Sequence, residues 1–184
     1  MTARIPPAVP PFPAEVQARL DSIMRGKPPL VLFTTLARDP RLFHKFFSAG
    51  LLDRGHLTLR QREVVIHRTT ALCRSEYEFG VHAAVFAARA GLDATQLHSM
   101  VHGGPADACW SDGDRLLLGL CDALHATCTV DEVLWQALAS AFCPEAILEL
   151  VMLAGFYRTV SYLTNALRLP LEVDAARFPT PGSA

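Results

Sequence analysis

Two acid–imidazole pairs carry the chemistry this sequence can offer. Glu63 and His67 stand four residues apart, as do Glu78 and His82. On a helix that spacing puts both members of a pair on one face, a single turn apart. A carboxylate beside an imidazole fixes its tautomer and raises its basicity, and a buried second carboxylate can stay protonated and act as an acid. The stretch CRSEYEFGVH, Cys73 to His82, adds a thiol and a phenol to the second pair. Either pair alone is commonly a solvated surface pair; two of them flanking a tight turn beside Tyr77 point to one shared pocket, with His67 facing it or turned away. Carboxylate-bridged metal bundles use Glu-x-x-His. The spacing here is one residue longer, and neither a metal nor a cofactor is expected.

For the pairs to meet, their segments must form a helical hairpin, and the surrounding signals are helical. Thr58 is a good N-cap with Gln61 as its capping-box partner, and the helix it opens should run to about Cys73. Ser75 can cap the next helix with Glu78 three residues on, and Gly91 fits its stop, so the hairpin spans roughly 58–73 and 75–90. Before it, helices are expected over Ala14 to Arg25, Leu30 to Ala37 and Pro40 to Ala49. After it, starts are expected at Asp93, at Ser111 or Asp112, at Asp131 and at Pro144, the last helix running to about Arg168. No segment alternates with period two for long enough to be a strand. The class is all-α, with a Pro-rich segment over 1–13, a single domain over 14–172 and a tail over 173–184.

The totals bound the partners. The chain has 184 residues, 51% hydrophobic and 19% charged, with a formal net charge of -1, which offers no nucleic-acid footprint. The N-terminus has no apolar segment of the secretory kind, and the longest uninterrupted apolar run, Leu150 to Tyr157, is far short of a membrane span. A cytoplasmic protein acting on a small molecule is expected, without membrane or nucleic acid. The five cysteines form an odd set without CxxC spacing, which suits reduced thiols. Cys121 and Cys128, two turns apart, are expected in the core, as are Trp110, Trp135, Phe156 and Tyr157 unless they make subunit contacts.

The run LTLRQREVVIHRTTALCRSEYEFGVHAAVFAARAGLDATQL resembles the carboxymuconolactone decarboxylase family, which includes the alkylhydroperoxidase D-like proteins. Arg62-Glu63, Arg68-Thr69, the EYEF of Glu76 to Phe79 (commonly EYEW), His82 and Gly91-Leu92 carry the likeness. It continues through ACWSDGDRLLLGLCDALHAT and LAGFYRTVSYLTNALRLPLE, from about Leu57 to Glu172. The resemblance implies an alkylhydroperoxidase D-like helical bundle around a central hairpin, assembled as a homo-oligomer (dimer, trimer or hexamer). Hydroperoxidase members carry Glu, eleven residues, Cys-x-x-Cys, three residues and His. Here twelve positions after Glu63 stands Ser75, three further Glu78, and four further His82. The frame is kept and both thiols are gone, so no thiolate pair can reduce a peroxide.

The decarboxylase branch also carries a Glu four residues before the His. That likeness implies cysteine-independent proton transfer or decarboxylation on a small carboxylated or lactone-like substrate, a lyase-type activity. Glu78 and His82 would be the proton-transfer pair, with Glu63 orienting His82 or serving as second acid. Arg74 or Arg68 would hold a substrate carboxylate, and Tyr77 would donate to a developing oxyanion. Ser75 and Cys73 would lie in or near the pocket. The alternatives are a peroxiredoxin-like antioxidant activity through Cys73 and a ligand-binding oligomer that catalyses nothing.

Overall fold

The computed structural model describes residues 3–182, and every element in that span is helical. In chain order these are α1 (Ala14–Met24), α2 (Val31–Leu36), α3 (Pro40–Ala49), α4 (Leu59–Leu72) and α5 (Glu76–His82). A π-helical turn (Ala83–Ala87) and α6 (Ala88–Ala90) continue α5 without a break. Then come α7 (Ala94–His102), α8 (Asp112–Thr127), α9 (Glu132–Ala141) and α10 (Pro144–Ala166).

The helix starts follow their capping residues. Thr58 and Gln61 form the expected reciprocal box, and Asp93 with Gln96 forms a second one at α7. Ser111, Asp131 and Asp39 accept from the third backbone N–H of α8, α9 and α3, and Pro144 occupies the first turn of α10. Each such cap contributes about 1 kcal/mol. Ser75 departs from this pattern: its side chain makes no cap hydrogen bond and meets Thr164 Oγ1 of α10 at 2.8 Å.

The hairpin turn is built by backbone geometry. Arg74 takes a left-handed φ of 54°; its N–H reaches the Ala71 carbonyl and the Ser75 N–H reaches the Thr70 carbonyl. This is a Schellman closure with arginine where glycine is usual. It turns the chain within three residues and lays α5 back along α4.

Helix α4 is the axis of the domain. Every residue from Glu63 to Ala71 is buried, and α8, α10, α5 and α7 pack around it. Val64, Val65 and Ile66 meet Leu117, Leu118 and Leu120 of α8 and Leu150, Leu153 and Val160 of α10 in one core. A smaller core under α1 and α3 gathers Val16, Leu20, Ala37 and Phe43. Cys121 is buried as expected, whereas Cys128 is exposed because it is the left-handed C-cap of α8. Trp110 is buried against Ser99, and Trp135 is exposed.

By length and composition α10 is long enough and apolar enough to cross a membrane, although no uninterrupted apolar run in it approaches that length. Its 18-residue window has a mean hydropathy of 1.3 with 44% of the window buried. The buried share runs from Ala146 to Thr164 along one face and supplies the core. Leu148, Met152 and Tyr162 lie on the exposed side.

The C-terminal segment straps the back of α5. The Glu172 carboxylate takes the Val31 N–H at 2.6 Å and the Tyr77 hydroxyl, Ala176 donates to the Gly80 carbonyl, and Phe178 N donates to Glu76 at 3.0 Å while its ring meets Phe79. Residues 76, 79 and 80 occupy the side of α5 opposite residues 78 and 82. The strap supports the hairpin from behind. A Cβ at Gly80 would stand 2.1 Å from the Ala176 carbonyl oxygen, so only glycine admits this contact. Gly80→Ala is expected to destabilise by about 1–3 kcal/mol in urea unfolding, and to speed tryptic cleavage at Arg177. Unchanged stability and unchanged cleavage would show that the strap does not hold α5.

Candidate active site

Three buried helices supply the site. Glu63 and His67 come from the packed face of α4, Glu78 and His82 from the facing side of α5, and Tyr157 from the buried side of α10. The four-residue spacing aligns each acid with its imidazole, and the Schellman turn brings the two pairs together. Glu63 and His67 have no exposure at all, His82 retains 3% and Glu78 7%.

Glu63 is the hinge of the cluster. Its Oε2 meets His82 Nδ1 at 2.8 Å and lies 3.7 Å from His67 Nδ1. The His67 contact is not an ion pair, because His67 Nδ1 donates instead to the Glu63 backbone carbonyl at 2.7 Å. That bond fixes the tautomer and leaves Nε2 of His67 bare and buried. Burial, with the neighbouring charge of His82 second, lowers the His67 pKa to about 4, so the ring is neutral.

His82 goes the other way. Burial opposes its charge, but the hydrogen bonds to Glu63 and Glu78 and the charges of both carboxylates outweigh that penalty and hold the pKa up at about 9. At neutral pH it is an imidazolium donating from both nitrogens. Nδ1 goes to Glu63, while Nε2 is shared between the Tyr157 hydroxyl at 3.1 Å and Glu78 Oε1 at 3.4 Å. The second Glu78 oxygen, Oε2, is buried without a hydrogen-bond partner. Burial and the negative charges of Glu78 and Glu63 push the Tyr157 phenol well above its usual value, keeping it protonated. The Phe86 ring lies 5.2 Å from the His82 ring, carried by the π-turn that begins directly after His82. Such turns recur at functional sites because they re-aim the side chains beside them.

Several side chains expected here are engaged elsewhere. Arg68 grips Asp122 with two nitrogens at 2.6 and 2.9 Å and also donates to the Met100 and Gly103 carbonyls, so it ties α4 to α8 and α7. Arg74 is exposed on the turn that closes α4. The Tyr77 hydroxyl donates to Glu172 and accepts from Leu32 N, which spends it on the C-terminal strap. Ser75 pins α5 to α10 through Thr164. Cys73 is half-buried beside Ser161 and Arg158, and burial is the largest influence on its thiol, raising the pKa. The residue the sequence does not single out is Tyr157, which takes a place at His82 rather than in plain core packing. The one signal for it is a phenol at the end of the apolar run Leu150 to Tyr157, since a buried Tyr hydroxyl needs a partner.

No group of three or more His, Cys, Asp or Glu side chains among the described residues is arranged to hold a metal ion. A cleft of about 350 Å³ beside α1 and one of about 210 Å³ between α4, α8 and α10 both lie away from the cluster. Thr69, Cys121 and Arg158 are among the residues lining the second.

A group whose folded pKa is raised stabilises the fold fully below its unfolded value, near 6.5 for histidine, and ceases to do so as pH rises through the folded value, here about 9. Stability by urea unfolding should therefore fall between pH 6.5 and 9. Glu63→Gln, which removes the nearer carboxylate, should lose most of that slope and about 3 kcal/mol or more at pH 6.5. A Glu63→Gln protein with the wild-type slope would disprove the buried charge pair.

No family model and no curated protein matches this chain. Among solved structures, its fold is that of the alkylhydroperoxidase AhpD core of a peroxidase-related protein from Ralstonia eutropha, at 21% identity over 89% of this chain and 88% of the other, with a TM-score of 0.77. A peroxidase-related protein from a Silicibacter species matches over 97% and 99% at 18% identity, with a TM-score of 0.78. The debrominase Bmp8, solved with 2,3,4-tribromopyrrole, matches over 95% and 94% at 14% identity, with a TM-score of 0.73. At these identities the likeness is one of fold.

Proposed function

We propose that this AhpD-like fold carries a cysteine-independent acid/base enzyme, a lyase of the carboxymuconolactone decarboxylase kind, acting on a small lactone or keto acid. The carrying observation is the imidazolium of His82 lodged between Glu63 and Glu78 with Glu78 Oε2 left unpartnered. An uncommitted carboxylate oxygen next to a charged imidazole is equipped to exchange a proton with carbon. Glu78 Oε2 serves as the exchanging atom. As CO2 departs, His82 passes its Nε2 proton to the Glu78 carboxylate, Glu78 delivers that proton to the carbanion, and solvent recharges the imidazole. Glu63 keeps His82 oriented and charged through Nδ1.

The fold neighbours include peroxidase-related proteins and a debrominase, and the hydroperoxidase pattern works through a thiol. Here Glu78 occupies the frame position of one of the two hydroperoxidase cysteines. Cys121 is buried, with its pKa pushed up to about 12 by that burial, and it meets Thr69 and the Val65 carbonyl. Cys73 turns to Ser161. These placements argue against a thiol reaction at His82. A homo-oligomer belongs to the same reading, supported by the exposed apolar side chains Leu148, Met152 and Tyr162 along α10.

The test is incubation with a panel of small lactone acids and β-keto acids in deuterated water, following CO2 release and deuterium at the product carbon. Glu78→Gln is expected to cut the rate about 10²–10⁴-fold with unfolding temperature preserved, and Cys73→Ser to leave it unchanged. Equal turnover in Glu78→Gln, or peroxide loss that Cys73→Ser removes, would refute the assignment.

A further inference from the structure

The hydrogen-bond inventory around His82 Nε2 leaves one donor and one acceptor unspent. An imidazolium donates, so the 3.1 Å contact makes the Tyr157 oxygen an acceptor and frees its own O–H. That hydroxyl has no second partner among the described residues. Glu78, held to the same nitrogen through Oε1, has the opposite surplus: its Oε2 is an acceptor with no donor. Leaving such groups buried costs roughly 1–3 kcal/mol each, and a ligand that brings an acceptor to the hydroxyl and an acidic proton to the carboxylate would relieve both. Burial and the two carboxylates hold the phenol's pKa above its usual value, which favours the protonated donor form.

We infer that Tyr157 is a further catalytic residue, an oxyanion donor whose O–H binds the carbonyl oxygen of a substrate whose neighbouring carbon exchanges a proton with Glu78. The inference rests on the proton-transfer reading and narrows its substrate to carbonyl compounds that pass through an enolate. In the forward step Glu78 Oε2 removes the α-proton, the C–H electrons become the C=C bond, and the carbonyl π pair moves onto oxygen. The resulting anion is held by Tyr157 O–H, itself polarised by the charge on His82. Return of the proton from Glu78 restores the carbonyl, and no oxidant or reductant is needed. In the decarboxylating variant the electrons come from the C–CO2 bond and the same oxygen receives them. Donors preset toward developing charge in a water-poor site are the usual source of large rate effects. Tyr77, the phenol nearer in sequence to His82, cannot take this role because Glu172 holds its proton.

A phenolate reproduces the enolate oxygen, so 4-nitrophenol is the probe. Its absorbance reports both binding and ionisation, and binding is compared for wild type, Tyr157→Phe and Glu78→Gln at one pH. Wild type is expected to bind the ionised form, Tyr157→Phe to bind it roughly ten- to hundred-fold more weakly, and Glu78→Gln to bind it at least as well as wild type, since a repelling carboxylate is gone. Tyr157→Phe removes one oxygen, and an unfolding temperature near wild type certifies the comparison. Failure of wild type to bind 4-nitrophenolate, or equal binding by Tyr157→Phe, would overturn the oxyanion role. The proton-transfer reading stands or falls separately on turnover by Glu78→Gln.

Discussion

A fully buried carboxylate facing an imidazole at 2.8 Å sets the terms for the rest of this molecule. Glu63 cannot sit in the middle of a packed helix unless a cation or donor meets it, because an unpaired buried charge costs several kcal/mol. His82 is that partner, and it reaches Glu63 only if α5 folds back along α4 at the right height. The tight turn through Arg74, the Ser75–Thr164 pin and the strap across Gly80 all serve that placement. Fold stability and the charge state of the site are therefore one problem with one solution.

The two histidines show how environment divides labour between identical side chains. Both are buried and both lie near Glu63, yet His67 spends its proton on a backbone carbonyl and stays neutral, while His82 collects two carboxylates and stays charged. The neutral ring stands edge-on to the charged one, its centre 6.2 Å away, and to Phe79, so it acts as apolar wall on that side. A second imidazolium there would repel the first; burial, with that repulsion second, outweighs the carbonyl bond and keeps His67 neutral at neutral pH.

Much of this architecture is written locally. Caps at Thr58, Asp93, Ser111 and Asp131, the stop at Gly91 and the first-turn Pro144 are short-range signals, and the helices begin and end within a residue or two of them. The i,i+4 pairs are local too, which is why Glu63, His67, Glu78 and His82 can be singled out together. What is not local escapes. Arg68 finds Asp122 across 54 residues and Tyr157 finds His82 across 75, and no spacing rule connects either pair. The π-turn after His82 adds one residue to a helical turn without a compositional mark. The likeness to AhpD-type structures is a likeness of scaffold; which side chains converge at His82 is set by this chain's own residues.

The most direct test of the central claim is nitrogen-15 NMR of the imidazole side chains across pH. His82 should show two protonated ring nitrogens at neutral pH and titrate near 9, while His67 should show one protonated nitrogen, Nδ1, and hold that state down to about 4. A neutral His82 at pH 7, with a single proton shared among Glu63, Glu78 and Tyr157, would contradict the buried imidazolium and the proton-transfer chemistry built on it.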